Sequence, residues 1–249
     1  MIPPTFGSLF AGIGGLDLGL ERAGWQSVWQ VEINPYARRV LEKHWPHVCR
    51  WDDARTFPPE PTAAWNCDLI AGGFPCQDIS NAGKRAGING QRSGLWYEFA
   101  RIIRALRPRY VLVENVSAIL VRGIGRVLGD LARIGYDAEW NCLPAAAFGA
   151  PHARWRVFVV ASARGDRRSA CGACNTLVSD TDSKRLEGQK IFKKNLYLAK
   201  SDWWAVEPDM DRVANGIPHR VDRIRCLGNA VVPQVAEYIG HAIMRHMDM

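Results

Sequence analysis

Short β-rich runs alternate with helical runs from Thr5 to Val160, and this alternation constrains the fold more than any other feature of the sequence. The order is typical of βαβ units, in which helices cover both faces of a largely parallel sheet. The predicted strands are residues 5–10, 28–33, 68–71, 110–114, 138–143 and 156–160. We therefore expect an α/β fold with a doubly wound, mostly parallel sheet.

The helical runs carry starting signals and apolar spacings. Pro35 behind Asn34 is typical of a first helical turn that follows a capping residue, and it predicts a helix over residues 36–44. Apolar residues spaced by three and four predict helices over residues 95–106 and 124–134. Pro233 begins a last amphipathic helix, predicted over residues 234–245.

The character of the sequence changes after Ala161. Residues 163–200 are rich in Arg, Lys, Asp, Ser and Gly, show little periodicity and contain the CxxC pair Cys171 and Cys174. Regularity returns near Trp203. We predict three regions, residues 1–162, 163–202 and 203–249.

Composition narrows the function classes. With 249 residues, 47% of them hydrophobic, the chain can fill a core, and a net charge of +7 favours a polyanionic partner. No apolar run approaches the length of a membrane span, so we expect a soluble cytoplasmic protein without membrane contact. Seven scattered cysteines are typical of reduced thiols, which leaves one free to be a nucleophile.

A glycine-rich turn follows the first predicted strand, in the run SLFAGIGGLDLGL of residues 8–20. Glycines at 12, 14 and 15 would let a ligand approach the backbone at a helix N-terminus. Glu32 and Asp53 follow later segments and could accept hydrogen bonds from ribose hydroxyls and an adenine amino group. Taken alone, the turn is also compatible with a tight connection, and each acid with a solvated loop position.

Cys76 lies in the run GGFPCQDIS of residues 72–80, just beyond a predicted buried strand. Most free cysteines are inert core residues. Here Pro75 fixes an extended approach, and the polar residues that follow disfavour burial, so a reactive thiol is the better interpretation.

Further charged residues end apolar runs. Glu114 closes the strand Tyr-Val-Leu-Val and needs a partner if it is buried. Arg154 and Arg156 are two residues apart on a predicted strand, which would direct both guanidinium groups to one side. The pair could hold an anion, although arginines at a strand end are more often simply exposed.

The ordered blocks together resemble the bacterial and phage DNA cytosine C5 methyltransferases. These blocks are the glycine-rich turn, PCQ, ENV, a short RxR and LGNAVVPQVA at residues 227–236. The resemblance covers residues 5 to about 160 and again about 203 to 243. It implies the Rossmann-like fold of S-adenosylmethionine-dependent methyltransferases, with residues 1–162 as the catalytic and cofactor-binding domain and 163–202 as a short target-recognition region. Residues 203–249 would be a C-terminal segment that returns to the catalytic domain.

The resemblance also implies site residues. The S-adenosylmethionine site would comprise Phe10, Gly12, Gly14, Gly15, Glu32, Ile33, Asp53, Leu95, Asn229, Ala230 and Val231. The residues around a flipped-out cytosine in double-stranded DNA would be Cys76, Glu114, Arg154 and Arg156. Cys76 would add to C6 of the base, Glu114 would assist at N3, and the methyl group would pass to C5.

Residues 77–92 carry glycines that permit hinges, and basic side chains suited to phosphates. We predict DNA contacts by Gln77, Ser80, Lys84, Arg85 and Arg92. An ordinary solvated loop is the alternative.

The recognition region is short, at about forty residues, so a full-sized recognition domain is not expected. Basic residues there, from Arg164 to Lys194, are candidates for phosphates or guanines. A single CxxC pair is a weak zinc signal, and we predict no metal site. We expect a monomer that partners a restriction endonuclease or acts as a phage or orphan enzyme. RNA cytosine methylation and catalytically weak DNA binding are the alternatives.

Overall fold

The computed structural model describes residues 2–60, 63–75, 94–165 and 220–247. The strands are β1 (Thr5–Leu9), β2 (Gln26–Val31), β3 (Cys49–Trp51), β4 (Leu69–Gly73), β5 (Tyr110–Val116), β6 (Tyr136–Pro144) and β7 (Trp155–Ala163). The α-helices are α1 (Gly15–Arg22), α2 (Pro35–His44), α3 (Leu95–Leu106), α4 (Ile119–Arg122), α5 (Ile124–Ile134), α6 (Arg220–Asn229) and α7 (Pro233–Met247). Short 3₁₀ turns cover Ala63–Trp65 and Ala145–Phe148.

One seven-stranded sheet carries the described part of the chain, in the order β3-β2-β1-β4-β5-β7-β6. Strands β1 to β5 pair in parallel, and β7 is antiparallel to both β5 and β6. Only β7 therefore runs against the other six. The doubly wound, mostly parallel α/β fold predicted from the sequence is confirmed.

Helix α2 shows how local sequence sets an element's ends. The Asn34 side chain accepts hydrogen bonds from the backbone N–H groups of Tyr36, at 2.8 Å, and Ala37, at 3.2 Å. These bonds satisfy donors that the first turn of a helix leaves free. At the other end, the Arg50 guanidinium donates to the carbonyls of Leu41 and Trp45, and it thereby adds hydrogen bonds where the helix ends.

The core lies in two layers, one on each face of the sheet, because successive strand residues point to opposite faces. On one face, Ile70, Val111 and Val113 pack in a buried cluster with residues of α3 and α5. On the other face, Leu69 and Leu112 pack with residues of α1 and α7. Helices thus cover both faces, as the fold requires.

Helices α1 and α7 approach each other through small residues. A Cβ at Gly19 would lie 2.2 Å from the Pro233 carbonyl oxygen, and one at Gly240 would lie 2.8 Å from the Ala23 Cβ. The Trp25 indole donates a 3.2 Å hydrogen bond to the Gly240 carbonyl. Glycine is therefore needed where the two backbones meet, and the C-terminal helix is packed directly on the first helix of the fold.

A buried acid ties the first helix to two strands. Asp17 of α1 is fully buried and accepts hydrogen bonds from Ser8 of β1, at 3.1 Å, and Gln30 of β2, at 2.8 Å. Burial raises the pKa of Asp17 to about 6, and the two hydrogen bonds partly oppose that rise. The start of α1 is thereby fixed over β1 and β2, directly behind the glycine-rich turn.

Some elements were not predicted or extend beyond the predicted limits. Strand β3 has three residues, too few to show an alternating pattern, and α4 has four. Strands β6 and β7 each have nine residues and so exceed their predicted spans. Residues 166–219 lie outside the described residues, so the boundaries of the three predicted regions stay a prediction. The described helices include none that is both long and apolar enough to cross a membrane.

We predict that Gly19→Ala destabilises the fold by about 1–3 kcal/mol, because the added methyl group would meet backbone that has no room to move. Gly125→Ala is the matched control. It also replaces a helical glycine, but no described atom lies within 4 Å of the new Cβ, so it should be neutral or stabilising by roughly 0.5–1 kcal/mol. Urea unfolding of both variants measures the difference, and equal stabilities would contradict the packing described.

Candidate active site

The carboxyl ends of the parallel strands gather the candidate residues at one edge of the sheet. Phe10 follows β1, Glu32 follows β2 and Phe74 follows β4. Glu114 lies near the same end of β5, paired in register with Gly73 of β4. Open α/β sheets bind their ligands at this edge, so the sequence motifs converge where a site is expected.

The glycine-rich turn leaves β1 in left-handed conformations. Phe10, Gly12 and Gly14 have φ angles of 55°, 57° and 83°. The N–H of Ala11 bonds to the Val31 carbonyl at 3.1 Å, which holds the turn against the end of β2. No described atom lies within 4 Å of where a Cβ would stand at Gly12, so the backbone there borders open space. A ligand can approach it closely.

Glu32 joins the turn to the end of β2. Its carboxylate accepts hydrogen bonds from the N–H of Gly12, at 2.8 Å, and the N–H of Asn34, at 2.7 Å. The next residue, Ile33, is 61% exposed. An anchored carboxylate with unused lone pairs beside an exposed apolar side chain suits a ligand with hydroxyl groups and a flat ring.

Asp53 and Leu95, which were also predicted to bind the cofactor, lie on segments other than the glycine-rich turn and β2. The Asp53 carboxylate is held by the Arg55 guanidinium, with Nη2 2.7 Å from Oδ2, and this pairing lowers the pKa of Asp53. Leu95 is half-buried at the first turn of α3. The binding roles assigned to both residues stay predictions.

Glu114 is the buried acid of the edge, at 8% exposure. Its Oε1 lies 3.0 Å from Nε of Arg156. Burial raises the pKa of Glu114 to about 7, because its effect exceeds the opposing effects of the Arg156 and Arg154 guanidinium groups. Near neutral pH, this group can therefore hold or release a proton, as a general acid must.

Two neighbours fix the position of Glu114 and of the segment beside it. A Cβ at Gly73 would lie 2.4 Å from the Glu114 Oε2, so a larger residue there would displace the carboxyl group from its observed position. The buried Asn115 amide donates a 3.0 Å hydrogen bond to the Phe74 carbonyl. This bond anchors the chain one residue before Pro75, which directly precedes Cys76 in the sequence.

The two arginines of the RxR motif have different partners. Arg156 lies in β7 and pairs with Glu114, whereas Arg154 precedes β7 and has a left-handed φ of 34°. The Arg154 Nη2 donates to the carbonyls of Gly228, at 2.8 Å, and Ala230, at 2.7 Å. Both guanidinium groups lower the pKa of Glu114, so both lie close enough to act on it.

The final sequence block meets the glycine-rich turn. A Cβ at Gly15 would lie 2.4 Å from the Val231 carbonyl oxygen, which shows how closely the two backbones approach. A cavity of about 500 Å³ opens here, lined by residues that include Gly14, Gly15, Arg154, Ala230 and Val231. The structure thus brings together the turn, one arginine and the C-terminal block, which are far apart in sequence.

Several predicted residues lie outside the described part of the chain: Cys76, Gln77, Ser80, Lys84, Arg85, Arg92, Cys171 and Cys174. Among the described residues, no group of three His, Cys, Asp or Glu side chains is placed to hold a metal ion. Gly73 and Asn115 were missed by the sequence analysis. The signal was present in both cases, since Gly73 lies in the run GGFPCQDIS and Asn115 lies in the block ENV.

A family model described as "C-5 cytosine-specific DNA methylase" matches residues 5–205. Among curated relatives, the type II methyltransferase M2.BsuMI of Bacillus subtilis (strain 168) is 37% identical over 185 residues, covering 71% of this chain and 46% of that protein. M.NgoFVII of Neisseria gonorrhoeae is 35% identical over 161 residues, covering 63% of this chain and 43% of that protein. The chain therefore spans less than half the length of these relatives.

Solved structures agree with the fold. A candidate DNA modification methyltransferase encoded within an Escherichia coli prophage gives a TM-score of 0.55 at 28% identity, covering 65% of this chain and 47% of that one. The Dnmt2 methyltransferase of S. pombe gives a TM-score of 0.64 at 16% identity, covering 97% of this chain and 99% of that one. The second likeness concerns the fold alone.

We predict that the pKa of Glu114, about 7 in the free protein, rises further in Arg156→Gln. The substitution removes a positive charge that favours the carboxylate. Carbon-13 NMR titration of the glutamate carboxyl groups measures the pKa, and the signal lost in Glu114→Gln assigns it. Arg101→Gln, which removes the partner of Glu98 instead, should leave it unchanged. A fall in the pKa in Arg156→Gln would contradict the described pairing.

Proposed function

The chain belongs to the C-5 cytosine-specific DNA methylase family, and on that premise we propose that it methylates C5 of a flipped-out cytosine in double-stranded DNA, with S-adenosylmethionine as the methyl donor. The observation that carries the proposal is Glu114, a buried acid with a raised pKa that pairs with Arg156. It lies beside the strand that leads to Pro75 and Cys76. An acid in this state is what the chemistry needs.

The described residues fit the proposed cofactor. Glu32 is anchored by backbone N–H groups and keeps acceptor capacity for ribose hydroxyls, and the exposed Ile33 offers an apolar surface to an adenine ring. The open backbone at Gly12 admits a ligand at the turn. S-adenosylmethionine, when bound, would supply a methyl group on a positively charged sulfur.

Cys76 would act as the nucleophile. Its thiolate would form a bond to C6 of the cytosine, which places an electron pair at C5 for attack on the donated methyl group. Loss of the C5 proton to a base and breakage of the C6–S bond would then release 5-methylcytosine and the thiolate. Pro75 precedes Cys76, and the Asn115 bond to the Phe74 carbonyl supports this placement, because it anchors the chain beside Glu114.

Glu114 would donate a hydrogen bond or a proton at N3, where negative charge builds as the thiolate adds. A pKa of about 7 keeps an appreciable fraction protonated at neutral pH. Arg156, and Arg154 in part, would orient the base carbonyl and favour the thiolate form of Cys76. The arginines and Glu114 would thus act at one face of the ring.

The DNA would be held mainly by residues 77–92, with Gln77, Ser80, Lys84, Arg85 and Arg92 as the proposed contacts. Flipping the base costs a few kcal/mol, which phosphate contacts can offset. Residues 163–202 would select the sequence. We further propose that the protein is a cytoplasmic monomer and that its partner is a cognate restriction endonuclease.

The direct test uses duplex DNA with 5-fluorocytosine at the target, because fluorine cannot leave C5 as a proton does and the enzyme stays attached. Wild type with S-adenosylmethionine should form a covalent adduct that survives denaturation, and Cys76→Ala should form none. Cys49→Ala, at an exposed cysteine on β3, should react as wild type does.

Because the target sequence is unknown, the DNA is a pool of random duplexes, and the same pool as RNA runs in parallel. No adduct on DNA with wild type, or an adduct that persists in Cys76→Ala, would contradict the mechanism. An adduct on RNA alone would show the alternative substrate.

A further inference from the structure

We infer that Arg154 is a positioning residue that holds the junction between α6 and α7 against the glycine-rich turn, so that the cofactor site and the base site share one support. The junction is residues 228–232. The inference rests on the proposed function for its meaning, since it says how two parts of that site are coupled.

The Arg154 side chain caps helix α6. The last carbonyls of a helix have no partner within the helix, and basic side chains commonly donate to them. Here a single nitrogen, Nη2, donates to the carbonyls of Gly228, at 2.8 Å, and Ala230, at 2.7 Å. The two bonds span the point where α6 ends at Asn229, and they therefore fix the direction in which the chain leaves the helix.

The other side of the junction lies on the cofactor turn. The Val231 backbone comes within 2.4 Å, at its oxygen, and 3.1 Å, at its nitrogen, of where a Cβ would stand at Gly15. Further along, the Pro233 carbonyl approaches Gly19 of α1 in the same way. The junction is thus enclosed between the Arg154 side chain and the first two turns of α1.

The conformation of Arg154 shows that its surroundings hold it in place. Its φ of 34° lies in the left-handed region that residues with side chains rarely adopt, and such positions persist where neighbouring structure imposes them. Its carbonyl accepts a hydrogen bond from Ala145 at 3.4 Å. Two residues later, Arg156 pairs with Glu114. A shift of Arg154 would therefore also displace the partner of the buried acid.

This arrangement separates two possible roles. An arginine that only touched the flipped base would matter once DNA is bound and would leave the free protein's affinity for S-adenosylmethionine unchanged. An arginine that holds residues 228–232 on the turn would matter before DNA arrives, because Ala230 and Val231 would move away from Gly15. The affinity for cofactor in the absence of DNA therefore reports the positioning role.

Calorimetric binding of S-adenosylmethionine to the full chain without DNA tests this. Arg154→Ala should weaken binding at least tenfold. Arg154→Lys keeps a cationic donor near the two carbonyls and should recover part of the loss. The control is Arg107→Ala, since Arg107 likewise donates to a terminal helix carbonyl, that of Ile134, but lies before β5 at the opposite edge of the sheet. Its affinity should stay within twofold of wild type.

Hydrogen exchange gives a readout that needs no cofactor. The amides of residues 226–232 should exchange faster in Arg154→Ala than in wild type or Arg107→Ala, and Arg154→Lys should lie between. If Arg154→Ala fails to fold, the Arg154→Lys measurements decide.

The inference would be overturned if the junction amides of Arg154→Ala exchanged at the wild-type rate, whatever the cofactor affinity. If only Arg154→Lys folds, a wild-type exchange rate in that variant would overturn it. So would wild-type cofactor affinity in Arg154→Ala. If wild type itself bound no S-adenosylmethionine, the proposed function would fail, while the exchange data would still decide whether Arg154 holds the junction.

Discussion

The burial of one carboxyl group at the edge of the sheet sets the conditions for everything else in the site. Glu114 lies on β5 between β4 and β7, and the loss of water around it raises its pKa to about 7, so that its protonated and ionised forms are both populated near neutral pH. Arg156 limits the rise in the pKa of Glu114, since its positive charge favours the carboxylate. The result is a group that can exchange a proton under physiological conditions, at the place where parallel strands present ligand-binding loops.

Close approaches that only small residues allow connect this acid to the rest of the fold. Gly73 leaves room for the Glu114 carboxyl group, Gly15 for the Val231 backbone and Gly19 for the start of α7. Helices α1 and α7 are therefore packed on each other, and the C-terminal block lies against the glycine-rich turn that follows β1. Arg154 completes the connection by donating to the end of α6. The glycines and Arg154 thus hold together parts of the site that are far apart in the sequence.

Local pattern explains what could be predicted from the sequence. The apolar run from Tyr110 and the Asn34-Pro35 pair determine a strand and a helix start by themselves, and both are observed. Strand β3 was not predicted because three residues are too few to show an alternating apolar pattern. Helix α6 was not predicted because its apolar residues do not form the stripe of a helix that packs on a core, and most of them are exposed.

Long-range contacts were beyond local pattern. The bonds from Arg154 to Gly228 and Ala230 join residues more than seventy positions apart, and no spacing rule indicates them. Glu114 could be singled out as a buried acid that needs a partner, but its raised pKa depends on its burial in the fold and on the positions of Arg156 and Arg154. The motifs predicted which residues matter, whereas their pairing had to come from the structure.

The central claim is that Glu114 acts in its protonated form beside Cys76. The most direct measurement is the rate of covalent trapping on 5-fluorocytosine DNA between pH 6 and 9, in wild type and in Glu114→Gln, which cannot titrate at that position. Dividing the wild-type rate by the Glu114→Gln rate removes the dependence on thiol ionisation that both proteins share. The account predicts that this ratio is highest at low pH and falls, by up to tenfold per pH unit, once the pH exceeds a pKa at or above about 7. A ratio that is constant or rises with pH would contradict it.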